Sequence, residues 1–64
     1  MLSPREYDVF LAITQGLSNP TISEKLTLAL PTIKTHVNRI LTKLDARDRV
    51  HLVILACEHG VAME

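Results

Sequence analysis

The sequence predicts an all-α fold, a four-helix domain with a central helix-turn-helix, and three observations carry that expectation. Proline follows a polar residue at Ser3-Pro4 and again at Asn19-Pro20. This is the pattern of a helix start, where the N–H that proline lacks has no helical partner to lose. Apolar residues recur at helical spacing, most cleanly at Ile33, Val37, Ile40, Leu41 and Leu44. No four-residue run alternates apolar and polar without fitting a helix better. A chain of 64 residues holds one domain, residues 1–64, and no room remains for a multi-domain enzyme.

The first helix is expected from Pro4 to Gln15. Ser3 supplies a hydroxyl cap and Glu6, three residues on, completes a capping box. Val9, Phe10 and Ile13 share one face, and Gly16 provides the left-handed residue that ends the helix. The second helix runs from Pro20 to Leu26, with Asn19 as its cap and Ile22 stacked on Leu26. Thr27 to Ala29 is a tight connection in which Leu28 turns inward. The third helix spans Leu30 to Leu44 and carries a single apolar stripe. A break at Asp45 to Asp48 leads to the fourth, Arg49 to His59, with Gly60 as its stop. Two short helices joined by a tight turn, the second strongly amphipathic, outline a helix-turn-helix unit.

Bulk composition is uninformative about partners, since 7 basic and 7 acidic residues sum to zero. Hydrophobic content of 47% against 22% charged excludes disorder. The single cysteine, Cys57, permits no internal disulfide and points to a reducing, cytoplasmic setting. Leu52 to Cys57 is the longest apolar stretch, far short of the ~20 residues that cross a bilayer, so no membrane role is expected. No secretory signal is expected either, because Met1 leads directly into a helix-start pattern. At this size a lone core is marginal, and help from a partner or a parent chain is expected.

The distribution of charge says more than its sum. Between Lys25 and Lys43 stand four basic residues, Lys25, Lys34, Arg39 and Lys43, and no acidic one. At 100° per residue, the face of the third helix opposite its apolar stripe carries Thr35, Asn38, Arg39 and Thr42, flanked by Lys34 and Lys43. Lys and Arg donate to guanine or phosphate, Asn pairs with adenine, and Thr offers a hydroxyl and a methyl. Any surface helix has a polar face, but an acid-free one suits a phosphate-facing surface, where carboxylates are repelled.

The sequence resembles the DNA-binding domain of the LuxR/NarL/GerE family of bacterial transcription regulators over nearly its whole length. The resemblance lies in Leu2-Ser3-Pro4-Arg5-Glu6 and Val9, Gly16-Leu17-Ser18-Asn19, Ile22, Leu26, Thr32-Ile33-Lys34-Thr35-His36-Val37, Ile40-Leu41, Lys43-Leu44, Arg47 and Arg49. It implies the C-terminal output domain of a longer response regulator or ligand sensor, with an N-terminal receiver or sensing domain. It further implies a dimer on promoter DNA, with the third helix in the major groove. Under that resemblance Lys34, Thr35 and Asn38 read base edges, while Ser18, Asn19, Thr21, Thr32, Arg39, Lys43 and Arg47 meet the DNA backbone. Four positions depart from the family's common pattern: Pro20 and Thr21 replace a lysine and an acid, Ala29 replaces a capping serine, and Asn38 stands where the family is often basic. Such a cap is worth about 1 kcal/mol.

Several residues admit two readings. Glu6 serves as the capping-box partner of Ser3, or as a buried partner for Arg49 or another base near the fourth helix. His36 sits where the polar and apolar sides of the third helix meet, packing on the second helix or touching phosphate. His51, Cys57 and His59 offer no metal site, because Cys57 and His59 point to different sides of a helix. No cofactor is expected, and catalysis has no candidate residues, with no nucleophile triad, paired carboxylates or glycine-rich loop. Cys57 reads as a small hydrophobe that becomes buried. The fourth helix is apolar around most of its circumference, so Leu52, Val53 and Ala56 are expected inward and Val50, Ile54 and Cys57 against a partner helix in a homodimer. A helix-turn-helix used as a protein-interaction adaptor is the competing function, and zero net charge would suit it.

Overall fold

In the computed structural model, which describes residues 2–58, four helices follow in order: α1 (Pro4–Thr14), α2 (Asn19–Leu26), α3 (Leu30–Lys43) and α4 (Arg49–Glu58). There is no strand among the described residues. The capping box at the start of α1 is formed in both directions. Glu6 N–H donates to Ser3 Oγ at 3.1 Å, and Ser3 N–H donates to Glu6 Oε1 at 2.9 Å. One face of α1 is then buried through Glu6, Val9, Phe10, Ala12 and Ile13. α1 packs against each of the other three helices, and α2 also packs along α3. The side chains of Val9, Ile13, Ile22, Ile33, Ile40 and Leu52 are fully enclosed, so all four helices contribute to one core.

Three helix ends differ from expectation by one residue. α2 is capped by Ser18, not Asn19: the Ser18 hydroxyl accepts the Thr21 N–H at 3.3 Å, and Asn19 becomes the first helical residue. Pro20 still costs nothing in the second position, because N–H groups of the first turn have no helical acceptor. α1 ends at Thr14 with Gln15 as its cap, and α3 ends at Lys43 with Leu44 as its cap. α4 is described to Glu58, so the expected end at His59 and stop at Gly60 lie outside the described residues. Its start is fixed by Asp48, whose Oδ1 accepts the His51 N–H at 2.9 Å. His51 Nδ1 in turn accepts the Arg47 N–H at 3.2 Å.

The three turns share one solution. After α1, Gly16 N–H bonds Ile13 C=O at 2.9 Å and Leu17 N–H bonds Ala12 C=O at 3.3 Å. After α2, Thr27 N–H bonds Glu24 C=O and Leu28 N–H bonds Ser23 C=O; after α3, Asp45 N–H bonds Thr42 C=O and Ala46 N–H bonds Leu41 C=O. Each is a Schellman motif, which needs a left-handed residue followed by an apolar contact. The left-handed residues are Gly16, Thr27 and Asp45, at φ 84, 55 and 55. The apolar followers Leu17, Leu28 and Ala46 all pack on the core, so Leu28 does turn inward. Only the first turn uses glycine, and a β-branched Thr27 is the least suited residue for that backbone.

Replacing Thr27 with glycine relieves this strain at some entropic cost. Thr27→Gly is expected to raise unfolding free energy by about 0.5–1 kcal/mol, and Gly16→Ala to lower it by about 1 kcal/mol. Urea denaturation of both variants checks the pair, and a destabilised Thr27→Gly would contradict the account.

Candidate nucleic-acid interface

The solvent side of α3 is built by its own periodicity. Ile33, Val37 and Ile40 are buried, which turns Lys34, Thr35, Asn38, Arg39, Thr42 and Lys43 outward, all exposed. Thr35 Oγ donates to Pro31 C=O and Thr42 Oγ to Asn38 C=O, each at 3.1 Å. With their protons used inside the helix, the two hydroxyls present lone pairs and methyl groups outward. Thr35, Asn38, Arg39, Thr42, Lys43 and the edge of Glu6 bound an open depression of about 540 Å³. At the other end of α3 Ala29 occupies the cap without a side-chain hydrogen bond, which leaves first-turn N–H groups for water or an anion.

The start of α2 lies beside α4 in the structure. Arg49 donates through Nη1 to Asn19 Oδ1 and through Nη2 to Leu17 C=O at 2.7 Å. Arg49 therefore does not pair with Glu6; it braces the loop that leads into α2. With Oδ1 occupied, Asn19 keeps its amide nitrogen as a donor. Ser18 and Thr21 are exposed and joined, the Ser18 hydroxyl donating to Thr21 Oγ at 3.0 Å. Thr32 and Arg47 are also exposed. His36 is half-buried, as its place at the stripe's edge suggests, and its Nδ1 is shielded without a protein partner.

Glu6 combines the two roles that the sequence left open. Its Oε1 accepts the Ser3 N–H and also the Lys43 ammonium, at 2.8 Å. The base is the last residue of α3, 37 residues away in sequence, and not Arg49. The carboxylate is 4% exposed and the lysine side chain 40%. The Lys43 ammonium, helped by the Ser3 N–H, lowers the Glu6 carboxyl from 4.5 to about 2, against the opposing effect of burial.

α4 divides as its apolar circumference implies. Leu52 and Ala56 are buried and Val53 packs half-buried on the core, whereas Val50 is 67% and Ile54 48% exposed. Cys57 is exposed rather than buried within the chain, because it lies on the same side as Val50 and Ile54, away from Leu52 and Ala56. Among the described residues no group of three His, Cys, Asp or Glu could hold a metal ion, and no helix is long and apolar enough to cross a membrane.

A compact helix-turn-helix with a basic outer face on its second helix defines the class of this domain. The chain belongs to the luxR family of bacterial regulatory proteins, which it matches over residues 1–56. It is 41% identical over 61 residues to the response regulator protein VraR of Staphylococcus aureus, covering 95% of this chain and 29% of that protein. The same figures hold for the VraR proteins of Staphylococcus saprophyticus and Staphylococcus epidermidis. The chain thus spans 29% of the length of these relatives. Membership supports DNA-binding regulation of transcription as the domain's role, in a family of regulators and not of enzymes.

The depressed Glu6 carboxyl gives stability its pH dependence. Because the folded value lies below the unfolded one, this contribution is complete above about 4.5 and is lost as pH falls towards about 2. Thermal melts between pH 5 and pH 2 should therefore fall more steeply for the wild type than for Glu6→Gln. Parallel curves would remove the pair from the account of acid stability.

Proposed function

We propose that this domain binds double-stranded promoter DNA as the output module of a cytoplasmic bacterial response regulator or sensor-regulator, with α3 in the major groove. One observation carries the reading: the outward face of α3 presents Lys34, Thr35 and Asn38 together, and α3 itself contains no acid. Lys34 can donate to guanine O6 or N7, Asn38 can pair with adenine, and the Thr35 methyl and lone pairs suit thymine or an amino edge. Ser18, Asn19, Thr21, Thr32, Arg39 and Arg47 are proposed to meet phosphates on either side. These contacts fix register, while the three α3 residues carry the specificity.

The exposed side of α4 supports a homodimer. Val50, Ile54 and Cys57 fall at i, i+4 and i+7, one exposed stripe on the side of α4 away from buried Leu52 and Ala56. Two copies joined there would read half-sites about one helical turn apart, ~10 bp centre to centre. The relatives named above are response regulators longer than this chain. A receiver or ligand-sensing domain N-terminal to residue 1 is accordingly part of the proposal.

Selection from random duplex DNA, with affinity followed against salt, tests the reading. Lys34→Ala/Asn38→Ala should lose sequence preference, at about 1–3 kcal/mol per lost base contact, while keeping its melting curve. A domain acting as a protein-interaction adaptor would show no selected sequence and no salt response in the wild type. For the dimer, Ile54→Asp should sediment as monomer at concentrations where the wild type associates. A wild type that stays monomeric both free and on DNA would remove the α4 interface.

A further inference from the structure

Lys43 stands at the end of the reading helix, where a phosphate contact would be the simplest assignment. Its surroundings argue for a different one. The ammonium lies 2.8 Å from Glu6 Oε1, and both residues bound the same depression as Thr35, Asn38, Arg39 and Thr42. Glu6 is held in place by α1, since the same oxygen receives the Ser3 N–H that closes the capping box. Moving Lys43 out to a phosphate would strip a carboxylate that is 4% exposed of its counter-charge. Withdrawing the counter-charge from a buried carboxylate is unfavourable even when its partner is partly exposed. It would also leave a negative charge in the wall of a surface that faces DNA.

We propose that Lys43 is a shielding residue: it neutralises Glu6 so that the carboxylate does not cancel the positive charge that Arg39 presents to the DNA from the same depression. It adds no phosphate contact of its own. This rests on the DNA-binding reading above and deepens it. The pair lets α1 keep a structural carboxylate directly behind a phosphate-facing surface. A neutral pair releases no counterion, so Lys43 contributes nothing to the salt dependence of binding, while Arg39 next to it contributes fully.

A cycle of variants measured on non-specific duplex DNA separates shield from contact. Lys43→Gln uncovers Glu6 and should weaken binding. Glu6→Gln keeps an oxygen for the Ser3 N–H, removes the negative charge beside Lys43, and should steepen the log–log salt slope by up to about 0.9, one phosphate's worth. Glu6→Gln/Lys43→Gln should return to the wild-type affinity and slope. If the double variant binds as weakly as Lys43→Gln, Lys43 contacts phosphate directly and the proposal falls. Should a variant fail to fold, the wild type still decides: the lysine ε-methylene NMR signals are followed as duplex is added. Lys34 should shift and Lys43 should stay. A Lys43 signal that moves with Lys34 overturns the shield. A wild type that binds no duplex fails the DNA reading itself, an outcome distinct from tight binding with a Lys43 signal that shifts.

Discussion

The arrangement of this domain depends on one buried carboxylate oxygen. Glu6 Oε1 closes the N-terminus of α1 through Ser3 and holds the C-terminal end of α3 through Lys43. α1 touches all three other helices, so anchoring its first turn to the last turn of α3 sets the angle at which α3 leaves the core. Apolar contacts along Val9, Ile13, Ile33 and Ile40 are non-directional and would tolerate a small slide. A charge-assisted hydrogen bond between fixed atoms tolerates much less. The pair thus supplies orientation where the core supplies most of the stability.

The turns make the second set of constraints. Each of the first three helices stops by the same device, a left-handed residue followed by an apolar side chain pressed onto the core. Repeating a rigid stop three times in so short a chain leaves few free backbone torsions between helices. The turn between α2 and α3 is the one that places α3, and there the chain accepts Thr27 at φ 55. The Leu28 anchor and two backbone hydrogen bonds hold this conformation against its steric cost.

Much of this was legible in the sequence, and the misses share a cause. The capping box of Ser3 and Glu6, the stripe on α3 and the division of α4 into inward and outward residues all follow from spacing within one helix. Ser18 stands as the cap where two adjacent residues both had capping chemistry, and Asn19 instead meets Arg49 from α4, a long-range contact that spacing does not reveal. The partner of Glu6 was misplaced for the same reason. Local pattern can say that a buried carboxylate needs a base, but whether Arg49 or Lys43 meets it is decided by how α1 crosses α3. Thr27 and Asp45 were missed as left-handed stops because glycine is the strong signal for that backbone and neither is glycine. The exposed face that carries Lys34, Thr35 and Asn38 was legible as well, because burial of Ile33, Val37 and Ile40 decides which side of α3 meets solvent.

Zero net charge acquires a specific meaning from this geometry. If Glu6 and Lys43 cancel each other within the reading surface, Lys34 and Arg39 are the cations of α3 left to meet DNA. Few net cations mean a shallow salt dependence and weak non-specific attachment. Affinity must then come from base contacts at Lys34, Thr35 and Asn38 and from doubling the domain, because linking two modest sites multiplies their strength without adding contacts. In the proposed homodimer the exposed Val50, Ile54 and Cys57 stripe is the surface for such doubling. Arg49 makes the two needs adjacent: it sits at the first turn of α4, next to Val50, and holds the loop that starts α2. The proposed α4 interface and the proposed backbone-contacting segment of Ser18, Asn19 and Thr21 are thus tied through one side chain, Arg49.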